Sequence, residues 1–238
     1  MTSYREKGLA WLKRNFYYLA IPLAILVYTV SSLALTAIFR TASNMAVIHT
    51  DLWRAFLAIM YYDGSANTYF LMVLSILFIP LAIFLSRTDG IVRAMGMLTT
   101  AFSIGIISIA QMAVLEPKYG FAGQSTVIFA LYGAVTAGFL VEGVSLISAP
   151  LGKLKKSDHF SGKYSNSEFM IAGLGYLSIG SFLIMFSITS PHSFFAGSVR
   201  AHELSFMEAV FTGFVLFSLQ NLTTGVGYKL ERKREVCA

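Results

Sequence analysis

The chain has 238 residues, of which 56% are hydrophobic and only 13% charged, and its mean hydropathy is +0.67. Soluble domains carry about 25% charged residues, so the composition excludes a water-soluble globular enzyme and indicates an integral membrane protein. The net charge of +6 is scattered in short stretches between apolar runs, which excludes a nucleic-acid-binding face; the single cysteine, Cys237, excludes a disulfide framework and a cysteine metal site.

Arg5, Lys7, Lys13 and Arg14 precede an apolar run from Phe16 to Phe39. Signal peptides have apolar cores of only about 7–15 residues, so this longer run predicts an uncleaved first transmembrane helix. Arg40 to Asp63 is amphipathic, with Asp51, Trp53 and Arg54 ahead of a run from Phe56 to Tyr62, and reads as an interfacial loop. The second span runs from Tyr69 to Leu85; it contains Pro80, which a membrane helix tolerates when neighbours satisfy the freed carbonyl.

The third span, Ala94 to Leu115, is closed by Glu116, Pro117 and Lys118. The fourth starts at Ser125 and ends near Pro150, before a loop carrying Lys153, Lys155, Lys156 and Lys163. The fifth covers Phe169 to Ile188, and Pro191 starts a short connection. The sixth runs from His202 to about Gly227, ahead of a basic tail of Lys229, Arg232, Lys233 and Arg234. The expected fold is an all-α bundle of six transmembrane helices with an amphipathic first loop, forming one domain over residues 1–238.

Charge sets the expected orientation. Alternate segments place 14 of the 18 Lys and Arg residues on one face, leaving Arg40, Arg54, Lys118 and Arg200 on the other. Basic loops stay in the cytoplasm, so both termini are expected there, with the cell membrane as the expected location. The fourth and sixth helices then both enter from outside, which puts Ser125 and His202 at one depth.

Those two residues carry the chemistry. In Gly123 to Gly138, small residues recur every three or four positions, with Ala130, Ala134 and Gly138 on one helical face. His202 is followed on one face by Ser205, Ala209 and Gly213. Both patterns suit helices whose backbones touch, each opening with a residue of nucleophilic chemistry: a serine, and a histidine that titrates near neutrality and accepts its proton. Carboxylates are not placed to orient His202, so a Ser-His pair is expected rather than a triad. Phe129 follows Ser125 by four positions and shares its face, where it can pack on the imidazole. By itself Ser125 would be an ordinary helix cap and His202 an interfacial residue. His49, His159 and His192 fall in connections and read as solvated, and Glu208 as a structural hydrogen-bonding group within the sixth helix.

The segment Gly123-Gln124-Ser125-Thr126, followed by an apolar run, resembles the Gly-X-Ser-Gly nucleophile helix of the rhomboid intramembrane serine proteases. Ala201-His202, with Ser205, Ala209 and Gly213 behind it, is similar to the rhomboid Ala-His helix that supplies the base. Trp53-Arg54 looks like the Trp-Arg pair of the rhomboid first loop. The resemblance covers most of the chain in the same order. It implies a six-helix bundle and a serine endopeptidase that cleaves transmembrane segments of other membrane proteins. Ser125 would be the nucleophile and His202 the base, with the lipid bilayer as surroundings and no cofactor, metal or nucleic acid.

The chain departs from the family at Thr126, Ser205 and Ala209, all small-for-small changes. In the second helix Thr68 and Met72 stand where rhomboids usually carry His and Asn that hold the oxyanion, and Asn67 is one position out of register. Thr68, Asn67, Gly123 and Phe129 are therefore the oxyanion and substrate-site candidates, with the backbone N–H groups at the start of the Ser125 helix expected to hold most of the charge. The alternative implied by these departures is a rhomboid-like pseudoprotease that binds membrane helices without cutting them.

Overall fold

The computed structural model describes residues 23, 26–39, 45–48, 50–62, 90–148, 166–195 and 199–236. The second expected span, with Asn67, Thr68 and Met72, lies outside the described residues, as do His49, His159 and the start of the first span.

The described chain is helical, with no strand; Val47 and Phe121 form an isolated antiparallel bridge. In chain order the helices are α1 (Leu26–Phe39), α2 (Ala55–Ala58), α3 (Gly90–Leu115), α4 (Ser125–Ser148), α5 (Asn166–Thr189), α6 (Pro191–Phe194) and α7 (Val199–Val236). Among the described residues four helices are long and apolar enough to cross a membrane, namely α3, α4, α5 and α7, and the molecule is a helical membrane protein. The helices α4 and α5 are apolar all round, which a bilayer permits because lipid and protein core are equally apolar.

Burial separates these helices by role. In α4, 83% of the apolar stretch is buried, against 17% in α5, so α4 is the central helix and α5 lies on the rim. Exposed Ile171, Leu174, Phe182 and Met185 cover the rim of α5.

Small residues set the close approach of α4 and α7. A Cβ on Gly133 would strike the carbonyl of Phe206 and come 2.9 Å from Ala209 Cβ, and one on Gly213 would come 3.0 Å from Ala137 Cβ. The backbones therefore meet where the sequence offers glycine and alanine, and larger side chains would hold the helices apart. Ser108 Oγ donates to Glu208 Oε2 at 2.9 Å and links α3 to α7, which gives Glu208 the structural role expected of it.

Residues 50–62, between α1 and α3, are amphipathic. A 3-10 turn, Leu52–Arg54, leads into α2; Ala55, Ala58 and Ile59 are buried, while Leu52, Trp53 and Phe56 are exposed. Arg54 reaches back to Asp51 at 3.6 Å and lies 5.8 Å from the Trp53 ring centre. The loop is moored to α1: the Tyr28 hydroxyl donates to the Ile59 carbonyl, and the Tyr62 N–H donates to Thr36 Oγ1 at 2.9 Å. Tyr28 also meets Phe102 of α3 edge to face, at 5.1 Å between ring centres.

One boundary differs from expectation. The last helix does not stop near Gly227 but runs unbroken to Val236. Lys229 to Arg234 is built of strong helix formers, so once α7 is nucleated by packing on α4 nothing in the tail terminates it.

Candidate active site

Ser125 is the first residue of α4 and His202 lies in the first turn of α7. The helices pack closely, and 77 positions apart in sequence the two side chains meet: His202 Nε2 lies 2.7 Å from Ser125 Oγ. Both residues are buried, at 8% and 5% exposure, so water does not compete for this bond.

The other ring nitrogen fixes the tautomer. His202 Nδ1 lies 3.0 Å from the carbonyl oxygen of Phe195. A carbonyl can only accept, so Nδ1 carries the proton and Nε2 presents its lone pair to the serine hydroxyl. Ser125 Oγ–H then donates to Nε2, which is the arrangement a general base requires. Phe195 was not among the sequence candidates, because its contribution is a backbone carbonyl that any residue supplies. Pro191 is the only local signal: it opens the α6 turn, whose closing bond runs from Phe195 N–H to Pro191 O at 2.8 Å.

One phenylalanine stacks on the imidazole, and two more pack behind it. Phe129 stacks on His202 with ring centres 4.5 Å apart and planes 29° from parallel. Phe195 packs edge-on to Phe129 and to Phe206, and all three are fully buried. Phe129 therefore contacts the base, as its spacing from Ser125 suggested.

The loop entering α4 is tied down on both sides. Val47 and Phe121 exchange backbone hydrogen bonds at 2.8 and 3.0 Å. The Gly123 N–H donates to the Ala58 carbonyl at 2.8 Å, and the Gln124 N–H to the Tyr61 carbonyl at 2.9 Å. Thr126, at the position of the expected small residue, turns its hydroxyl back to the Gly123 carbonyl at 3.0 Å. A Cβ on Gly123 would come 3.3 Å from Ser125 Oγ, so glycine leaves the hydroxyl room to move.

These bonds narrow the set of amides at the start of α4 that are open to an oxyanion. The Gly123 and Gln124 amides are consumed by the first loop, so Gly123 is not a donor in this state. Val127 and Ile128 N–H both close onto the Gln124 carbonyl. That leaves Ser125 and Thr126 as the helix-start amides with no carbonyl of the helix one turn behind them. They sit at the positive end of the α4 dipole, where negative charge is stabilised. Thr68 and Asn67, the remaining candidates, lie outside the described residues. His192, on α6, is exposed.

Outside the pair, Arg200 binds Glu116 at 2.9 Å beside a groove of about 530 Å³ between the C-terminal end of α3 and the N-terminal end of α7. Arg200 is 80% exposed, and such a pair contributes little to stability.

No family model matches the chain, and neither a curated protein nor a solved structure is significantly similar to it.

Proposed function

We propose that this chain is a rhomboid-type intramembrane serine endopeptidase, built on six transmembrane helices, that cleaves transmembrane segments of other membrane proteins. The observation that carries the reading is the Ser125–His202 contact at 2.7 Å, with the histidine oriented through its far nitrogen by the Phe195 carbonyl. A buried serine, a base of defined tautomer and a helix N-terminus together are the parts that acyl transfer to serine needs.

In this reading Ser125 Oγ attacks the scissile carbonyl while its proton passes to His202 Nε2. The developing negative charge falls at the start of α4, near the Ser125 and Thr126 amides. His202 then returns the proton to the leaving amine, and water hydrolyses the acyl-enzyme by the same steps. The substrate helix must unwind locally, since a carbonyl inside an intact helix is already bonded. The 14-to-4 asymmetry of basic residues supports cytoplasmic termini and a site near the opposite face of the cell membrane.

A second reading, a pseudoprotease that binds membrane helices, is favoured by one feature: the first loop occupies the Gly123 and Gln124 amides. Labelling of the purified protein with a fluorophosphonate separates the two. Covalent labelling that disappears in Ser125→Ala supports the protease, and absence of labelling in the parent protein supports the helix-binding reading.

A further inference from the structure

Gln124 directly precedes Ser125, and its side chain is buried at 1% exposure. Neither Nε2 nor Oε1 has a hydrogen-bond partner among the described residues. Leaving a buried donor or acceptor unpaired forfeits its bonds to water without replacement, so such a group calls for a physical explanation. Its backbone, by contrast, is fully engaged. The N–H donates to Tyr61, and the carbonyl accepts from Val127 at 3.1 Å and Ile128 at 3.3 Å. The residue is therefore fixed in place, and only its amide head is unsatisfied.

The neighbouring backbone lacks what this head can supply. A tetrahedral intermediate on Ser125 needs donors about 2.7–3.1 Å from its oxygen. Two of the amides nearest the nucleophile, on Gly123 and Gln124, are already bonded to the first loop. Adjacent Cα atoms are about 3.8 Å apart, and glutamine has two methylenes with which to reach atoms bonded to Ser125 Oγ. A neutral amide also suits an apolar setting, where a charged donor would be costly to bury.

We propose that the Gln124 side-chain amide is a catalytic hydrogen-bond donor to the oxyanion formed on Ser125, a role that rests on the protease reading above. Ser125 Oγ bonds to the scissile carbonyl carbon as its proton passes to His202 Nε2. The π pair of the carbonyl becomes a lone pair on its oxygen. Gln124 Nε2–H donates to that oxygen and keeps its own proton. On collapse the pair re-forms the carbonyl, the C–N bond breaks, and His202 protonates the departing amine. The unpaired amide of the resting protein thereby gains its partner only as the reaction proceeds, which is the condition for lowering a barrier rather than tightening substrate binding.

The test is inactivation of the purified full chain by a fluorophosphonate, whose phosphoryl oxygen occupies the oxyanion position. Gln124→Met keeps the length of the side chain and removes the amide. The maximal inactivation rate is expected to fall ~10²–10³-fold, the usual loss for one oxyanion donor, with the half-saturating concentration unchanged. The melting temperature should hold or rise, because an unpaired buried amide has been removed. Gln124→Leu, which has no donor at any pH, should lose as much, and it carries the test if the Met variant does not fold. An unchanged maximal rate overturns the role, as does a slower rate accompanied by a raised half-saturating concentration and a lowered melting temperature. Ser125→Ala is measured in parallel. If it labels as well as the parent, the protease reading falls too; if it does not label while the Gln124 variants react at full rate, only the Gln124 role falls.

Discussion

The Nδ1 atom of His202 is held by the carbonyl of Phe195, seven positions earlier and across the turn that separates α5 from α7. This bond decides which ring nitrogen faces Ser125. It places in a backbone carbonyl the orienting role that many serine hydrolases give to a carboxylate. A carbonyl carries no net charge, so the histidine is oriented without burying an anion in the apolar bundle.

The pair should behave as a unit. A serine without its base is a weak nucleophile, and the base without the serine has nothing to activate. Ser125→Ala and His202→Ala are each expected to abolish most turnover of a transmembrane substrate, and the double variant should lose little more than either single one. Additive losses measured in detergent or liposomes would show that the two act separately.

Phe129 should matter through the imidazole it stacks on. Aromatic contacts of this kind contribute about 0.5–1.5 kcal/mol beyond burial, so Phe129→Leu should slow turnover by roughly two- to tenfold at a modest cost in stability. Thermal unfolding alongside the turnover rate checks this. A large fall in melting temperature with an unchanged rate would mean that Phe129 only fills space.

The contact of α4 with α7 depends on Gly133. Gly133→Ala puts a methyl into the Phe206 carbonyl and is expected to destabilise by about 1–3 kcal/mol, the usual range for overpacking. Gly175, on the rim helix, has nothing within 4 Å of its Cβ direction, so Gly175→Ala should leave the melting temperature unchanged or raise it. Equal effects at the two sites would contradict the central position of α4.

Ser108 and Glu208 join α3 to α7 through one hydrogen bond. Such bonds inside membrane bundles average about 0.6 kcal/mol by double-mutant cycle. Ser108→Ala combined with Glu208→Gln should show a coupling of that order in reversible unfolding, and zero coupling would remove the bond from the account.

Cys237 reports the orientation without any added label site, because it is the only cysteine and lies on the basic tail. A membrane-impermeant maleimide should leave it unmodified in intact cells and modify it in inverted vesicles. The opposite pattern would reverse the topology that the basic residues support.

Several levels of the protein are legible in its sequence. Hydropathy is a sum over neighbouring residues, so the apolar runs beginning at Ala94, Ser125 and Phe169 mark helices that the structure starts within a few residues of the same places. Small residues at helical spacing likewise mark where α4 and α7 approach, since glycine and alanine are what allow backbones to touch. The Ser125 and His202 motifs lie at matching ends of those helices, and the meeting of their side chains follows from that shared depth and face.

Tertiary structure alone decides the rest. The orienting partner of His202 is a main-chain oxygen, and main-chain atoms are identical at every residue, so no sequence pattern singles out Phe195. For the same reason, nothing in the first loop announces that Ala58 and Tyr61 will consume two amides at the mouth of α4. The unpaired state of Gln124 is also a property of its surroundings, since an amide on a polar surface would be satisfied by water. Residue type fixes which groups can hydrogen-bond and how apolar each segment is; which partner each group finds depends on packing between segments far apart in the chain.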